Sequence, residues 1–374
     1  MVTTIEIKRE GKTPSRVVAG EALKLLPEVL PAGRRVVAIT DPNVMALYGD
    51  TIRTHSDRQI VIGTGEGNKT LDTVGDIYRQ LIEMGADRRT YIVGFGGGIV
   101  TDIAGFAAST FMRGLDFGFV ATSLLAQVDA SVGGKNGVNV GGFKNMAGVF
   151  SQPDFVLCDT GVLRTLPPRE FRAGLAEMIK AGIVADPELF ALLESHSPDE
   201  LLATHELLTQ VVVAAIRVKA AIVEADEREG GVRRKLNLGH TVGHAVEKLT
   251  REFNHGEAVA IGLVAIADAS VRLGVLAAAD RDRILRVVER AGLPVSTSGM
   301  ASGRVSGEVS GSASVSASEA VVGPVLGLSA GDISEAITRD KKVEGDGLWL
   351  VVIRQIGEVE VRRMSFADLA ELLN

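Results

Sequence analysis

The pattern of apolar and polar positions changes character part-way along the chain. The first residues, MVTTIEIKRE, alternate apolar and polar side chains in the manner of an edge strand. Continuous β-branched runs follow at 34–40 (RRVVAIT), 59–63 (QIVIG) and 90–95 (TYIVGF), and later in FGFVAT and FVLCD. Polar or glycine-rich residues come next, then stretches of helical period such as TLDTVGDIYRQLIEMGA. This alternation predicts a parallel sheet covered by helices, with ligands bound beyond the carboxyl ends of its strands. Pro167-Pro168 mark a boundary, after which the pattern turns helical: PREFRAGLAEMIKAGIV, one long helix from Asp199 to about Glu227, TVGHAVEKL, and helices near 256–273 and 279–291. GLWLVVIRQIGEVEVRR reads as a hairpin. The expected organisation is an α/β domain at 1–166 and a mainly α-helical domain at 167–374, with a serine- and glycine-rich, exposed tract at about 295–320 that has few large side chains to bury.

Composition narrows the partners. A chain of 374 residues suits two domains, and its net charge of −7 excludes a broad electrostatic footprint for nucleic acid. An anionic substrate must then meet local positive charge, so lysines in a cleft become the residues to seek. The single cysteine, Cys158, excludes an intramolecular disulfide and suits a reducing cytosol as an inert core residue. The amino terminus lacks the plan of a signal peptide, and the most apolar long segment, 258–279, is interrupted by Asp268 and Arg272; a cytoplasmic chain with no membrane span is expected.

Three of the six histidines crowd into NLGHTVGHAVEKLTREFNHGE. His240 and His244 share one helical face, and His255 follows a break and precedes a second apolar helix, so two helices can bring three imidazoles together. That arrangement points to a zinc-type metal; the alternative is a set of hydrogen-bonded histidines, and the order GHxxGH is not the HExxH of a zinc protease. Glu177 and Lys180 share a face of a very apolar helix, where ionised groups need a partner or a metal, which makes Glu177 a candidate oxygen ligand. In the first half, Asp41 and Asn43 follow a strand, and Gly65-Glu66-Gly67-Asn68-Lys69 opens a helix. Gly96, Gly97 and Gly98 lie between a strand and a helix with Asp102 one turn in. Such turns admit a phosphate or a dinucleotide pyrophosphate at a helix start, or simply relieve strain; the pattern departs from GxGxxG. Lys135, and then Lys144 with Asn145, sit in two glycine-rich turns, with Asp129 nearby and Arg113 upstream, either as an anion site or as solvated lysines on a surface hairpin.

Taken together, GFGGGIVTDIAGFAAS, TFMRG, TSLLAQVDASVGGKNGVN, FKNMAGVFSQP, RTLPPREFRAGLAEMIKAGI, NLGHTVGHAVE, HGEAVAIG and RDKKV resemble the 3-dehydroquinate synthase family from about Val36 to Val361. The resemblance implies a modified Rossmann-like NAD-binding α/β domain, a helical domain holding Zn2+ or Co2+, and a homodimer. The implied reaction converts a small phosphorylated sugar acid, 3-deoxy-D-arabino-heptulosonate 7-phosphate, to 3-dehydroquinate and phosphate in the shikimate pathway. It proceeds by oxidation, phosphate elimination, reduction and intramolecular aldol closure.

The resemblance assigns Glu177, His240 and His255 to the metal and moves His244 to proton chemistry on the substrate. It assigns Asp41, Asn43, Glu66, Lys69, Gly97, Gly98, Ile99, Asp102, Thr122, Ser123 and Thr165 to NAD, with Lys135 and Lys144 contributing. Asp129, Lys135, Lys180, Arg233 and Asn237 form the implied catalytic shell, and Arg113, Lys144, Asn145, Lys219 and one of Lys341 and Lys342 the substrate contacts; Arg113 would reach the neighbouring subunit's phosphate site. The chain departs from the family in Ser123, where many members have threonine, in the loop NVGGFKN, and in the serine- and glycine-rich tract. The competing readings are a related sugar phosphate cyclase making an amino-dehydroquinate, a 2-deoxy-scyllo-inosose or a valiolone, a metal-dependent polyol dehydrogenase, and a non-catalytic binding protein. The joint presence of Lys219, Arg233, Asn237 and His244 favours the acid substrate, with Lys219 and Arg233 as the carboxylate holders.

Overall fold

Residues 2–9, 11–296, 336–337, 343–344 and 347–373 are described by the computed structural model. Lys341, Lys342 and the tract beyond residue 296 lie outside them. The first part of the chain forms β1 (Val2–Arg9), β2 (Lys12–Gly20), α1 (Leu26–Val29), β3 (Val36–Thr40), α2 (Pro42–Thr54), β4 (Arg58–Val61), α3 (Leu71–Glu83), β5 (Tyr91–Gly96), α4 (Gly98–Thr110), β6 (Phe117–Ala121), β7 (Lys135–Val140), β8 (Phe143–Phe150) and β9 (Phe155–Asp159). The second part forms α5 (Pro168–Ala185), α6 (Pro187–Ser195), α7 (Pro198–Ala203), α8 (His205–Ala225), α9 (His240–Leu249), α10 (His255–Arg272), α11 (Ala278–Arg290), β10 (Val343–Glu344), β11 (Gly347–Gln355), β12 (Glu358–Ser365) and α12 (Phe366–Leu373).

Seven strands make one sheet in the order β1-β2-β9-β6-β5-β3-β4, parallel throughout except for the antiparallel pair β1 and β2. The alternation read in MVTTIEIKRE belongs to its edge. Strands β3, β5 and β6 are buried at every position, which is why they read as continuous apolar runs. Successive residues feed opposite faces: Val36, Ala38, Tyr91, Val93 and Phe95 join one cluster, while Val37, Ile39 and Ile92 join the larger core that continues through Phe171, Met178, Val212 and Ile261 of the helices. β10, β11 and β12 form a separate three-stranded sheet that includes the expected hairpin.

Three local expectations are corrected. The helix expected from Asp199 to about Glu227 is two helices, α7 and α8, parted by Thr204 in an extended conformation (φ −111°, ψ 98°). A capping box between Ser197 and Glu200, with Pro198 in the first turn, launches α7 by itself. Next, Lys135, Lys144 and Asn145 do not lie in glycine-rich loops; the hairpin given as the alternative is what forms. They sit on β7 and β8, whose two-residue turn Gly141-Gly142 has φ of +59° and +82°, the paired positive values of a tight hairpin turn. Finally, the helix expected after FGFVAT contains a π-helical stretch, Ala126–Ala130, and that wider turn carries Asp129.

Candidate active site and metal centre

Three helices converge because glycines let their backbones touch. A Cβ on Gly256 would lie 2.2 Å from the Ala173 carbonyl oxygen, and one on Gly262 would lie 2.0 Å from that of Gly239. Gly239 also takes φ +77° directly before His240, which turns the chain into α9. Thus α5 presents Glu177 and Lys180, α9 presents His240, His244 and Glu247 at helical spacing, and α10 opens with His255. Asn254 caps α10 and closes a capping box with Glu257.

Glu177 is almost wholly buried, its side chain 1 % exposed. His255 Nε2 and His240 Nε2 approach its Oε1 at 3.4 Å and 3.6 Å. One donor atom from each of the three residues lies within 4.8 Å of the others. His240 Nδ1 donates to the Leu238 carbonyl at 3.1 Å, which leaves Nε2 as the ring nitrogen facing Glu177. Beyond the ion pair with Lys180, neither Glu177 oxygen takes a hydrogen bond of ordinary geometry among the described residues. A buried carboxylate so placed beside two imidazole nitrogens suits a divalent cation, and two nitrogens with one oxygen is a donor set of catalytic zinc. Burial would raise the Glu177 pKa, but the Lys180 ammonium and His255 outweigh it and bring it to about 2.

A second layer of charge surrounds this centre. Lys219 Nζ donates to Asp129 Oδ1 at 2.6 Å, and Lys180 Nζ lies 3.9 Å from the same oxygen. Burial opposes ionisation of Asp129, yet the two ammonium groups leave its pKa lowered. Burial also lowers the pKa values of Lys219, Lys135 and Arg233. Lys135 pairs with Glu229, which also accepts from Asn237 Nδ2 at 2.6 Å. Arg233 Nη2 donates to the Gly133 carbonyl at 2.8 Å, and its guanidinium lies over the Phe150 ring.

The glycine-rich turn abuts the same network. Gly97 precedes α4, and a Cβ on Gly98 would lie 3.0 Å from that of Ala130, next to Asp129. Asp102 pairs with Lys69 at 2.5 Å, and burial raises its pKa. Glu66 Oε1 accepts from Asn139 Nδ2 at 2.8 Å, and the Asn145 amide donates to Asn139 Oδ1 at 2.9 Å, tying the β7–β8 hairpin to the 66–70 loop. Asp41 caps α2, accepting from the amides of Asn43 and Val44. Thr122 follows β6, its amide donating to the Gly96 carbonyl. The Ser123 hydroxyl accepts from the Ala126 amide, and the Thr165 hydroxyl lies 3.0 Å from that of Tyr48.

Residues 59–173 match the family model described as 3-dehydroquinate synthase N-terminal, and residues 174–310 match 3-dehydroquinate synthase C-terminal. A 3-dehydroquinate synthase of Pelotomaculum thermopropionicum is 48% identical over 76% of this chain and 80% of its own length, and one of Pseudomonas fluorescens is 41% identical over 94% and 91%. The chain belongs to the 3-dehydroquinate synthase family. Solved structures carry the same fold. A 2-epi-5-epi-valiolone synthase of Streptomyces hygroscopicus with NAD+ and Zn2+ bound superposes with a TM-score of 0.80 at 26% identity, covering 98% of both chains. A 2-deoxy-scyllo-inosose synthase complexed with carbaglucose-6-phosphate, NAD+ and Co2+ gives 0.80 at 22% identity over 99% of both, a likeness of fold. The family's 3-dehydroquinate synthases are thus nearer in sequence than these other cyclases.

Two acidic residues of the site escaped the sequence reading. Glu247 stands seven residues after His240, on its helical face, and that spacing was the available signal. Glu229 lies in the turn EREGGVRRKLN; only the tertiary structure takes it to Lys135, so the sequence held no comparable signal.

Proposed function

We propose that this chain converts 3-deoxy-D-arabino-heptulosonate 7-phosphate to 3-dehydroquinate and phosphate. The observation that carries the reading is one convergence: the Glu177, His240 and His255 donors adjoin the Lys180–Asp129–Lys219 network, and Ala130, the residue after Asp129, packs against Gly98 where the glycine-rich turn enters α4. Glu177, His240 and His255 would hold Zn2+ or Co2+. Gly97, Gly98, Ile99 and Asp102, with Asp41, Asn43, Glu66, Lys69, Thr122, Ser123 and Thr165, would hold NAD. When bound, the metal supplies Lewis acidity to a substrate hydroxyl and NAD+ a reversible acceptor for hydride.

The protein's own groups do the rest. Lys135, Lys144, Asn145 and Arg113 hold the phosphate, and Lys219 and Arg233 orient the carboxylate. His244 carries the proton, beside Lys180, Asp129 and Asn237. Met112, Arg113 and Gly114 all take positive φ (51°, 72° and 118°); in this reading Arg113 would reach the phosphate site of a second subunit, and the protein acts as a cytoplasmic homodimer. Among the described residues no helix is long and apolar enough to cross a membrane. The division into an NAD-binding part, 1–166, and a metal-binding part, 167–374, belongs to the same proposal.

The test is phosphate release from the heptulosonate, with product identification by mass, in the presence of NAD+ and zinc or cobalt and again with chelator. Release that the chelator stops, without steady accumulation of NADH, is expected. Absence of phosphate release would overturn the reading, and net NADH accumulation would indicate a polyol dehydrogenase.

A further inference from the structure

We infer that Glu247 is a positioning residue for the metal centre, setting the ring of His255 and linking it to the β7–β8 hairpin. Its side chain is 4 % exposed, and its Oε1 accepts from His255 Nδ1 at 3.3 Å and from Lys144 Nζ at 2.7 Å. The other carboxylate oxygen is buried and takes no hydrogen bond among the described residues. In the neutral ring that ligation requires, a hydrogen bond from Nδ1 to the carboxylate fixes the tautomer and leaves the lone pair on Nε2, the atom 3.4 Å from Glu177. The carboxylate also opposes rotation of the ring and makes Nε2 a stronger donor. Lys144 comes from β8, whose neighbour Asn145 is tied through Asn139 to Glu66. One chain of contacts therefore runs from the 66–70 loop, through the hairpin and Glu247, to a proposed metal ligand. The inference rests on the metal assignment above, but not on the identity of the substrate.

Cobalt binding tests it without turnover. The full-length protein, stripped of metal, is titrated with Co2+ while the visible absorption of the ion is followed, for the native chain and for Glu247→Gln, Glu247→Ala and Lys144→Met. Loss of an outer partner of a ligating histidine lowers metal affinity by about 10- to 100-fold. That loss, with an altered cobalt spectrum, is expected for Glu247→Ala. A smaller loss is expected for Glu247→Gln, which keeps an acceptor oxygen and serves if the alanine variant fails to fold. Lys144→Met should weaken binding in the native background and have less effect in the Glu247→Gln background. Unchanged cobalt affinity and spectrum in both Glu247 variants would overturn the inference. So would two cobalt ions per chain, because donor atoms of His244, Glu247 and His255 also lie within 4.8 Å of one another and a second ion there would make Glu247 a ligand. A native chain that binds cobalt normally but releases no phosphate would sink the proposed reaction and leave the role of Glu247 standing.

Discussion

Arg169 and Glu257 meet fork to fork: Nε donates to Oε1 at 2.7 Å and Nη2 to Oε2 at 2.6 Å. Glu257 also accepts from the Asn254 amide at 2.8 Å, so one carboxylate joins the start of α5 to the cap of α10, where His255 stands. The planar guanidinium is what allows both oxygens to be satisfied together.

Arg169→Met should therefore leave a buried carboxylate short of donors. A loss of roughly 1–3 kcal/mol of stability is expected, with a smaller loss for Arg169→Lys, which keeps the charge but not the fork. Urea unfolding midpoints measure it, and equal midpoints for the native and Met proteins would count against the clamp.

Glycine substitutions should separate close approach from mere flexibility. Gly256→Ala places a methyl group 2.2 Å from the Ala173 carbonyl oxygen, so α5 and α10 must separate, and metal binding should fail along with stability. Gly75, in α3, meets nothing within 4 Å. Gly75→Ala should stabilise the protein by about 0.5–1 kcal/mol, and thermal unfolding of the two variants should move in opposite directions.

His240→Ala removes one nitrogen of the proposed donor set. Metal content, measured by elemental analysis after dialysis, and phosphate release should disappear together. Full metal content in this variant would displace His240 from the ligand set.

Metal binding should expel a proton. Burial alone would lower the His255 pKa, but Glu177 and Glu247 outweigh it and raise it from 6.5 to about 10. A group whose pKa is raised by folding stabilises the metal-free protein fully below its unfolded value, about 6.5, and that contribution is lost as pH climbs through about 10. A ligating imidazole must be neutral, so near pH 7.5 about one proton should leave for each ion bound. Calorimetry in two buffers of different ionisation enthalpy reads this number, and binding enthalpies independent of buffer would contradict it.

The sequence by itself determined the alternation of strands and helices and named most of the candidate site residues. Continuous runs such as VVAIT and YIVGFG announced parallel strands because both of their faces are buried, and the spacing of His240 from His244 placed two imidazoles on one helical turn. Local periodicity carries such information, since it depends only on which residues of one element share a face. Residues 126–130, Thr204 and the Gly141-Gly142 hairpin lay beyond it, because a π-turn, a helix break and a register depend on what packs alongside. Tertiary structure alone decided the partners. That Glu177 meets His255 across 78 positions of sequence, Lys144 meets Glu247 across 103 and Lys135 meets Glu229 across 94 follows from backbone contacts between helices and sheet that no local pattern encodes. Charges of this kind are buried only where the fold supplies an opposite charge, so the sequence could name Glu177 and Asp129 as candidates, while the three-dimensional arrangement supplied their partners and brought in Glu247 and Glu229.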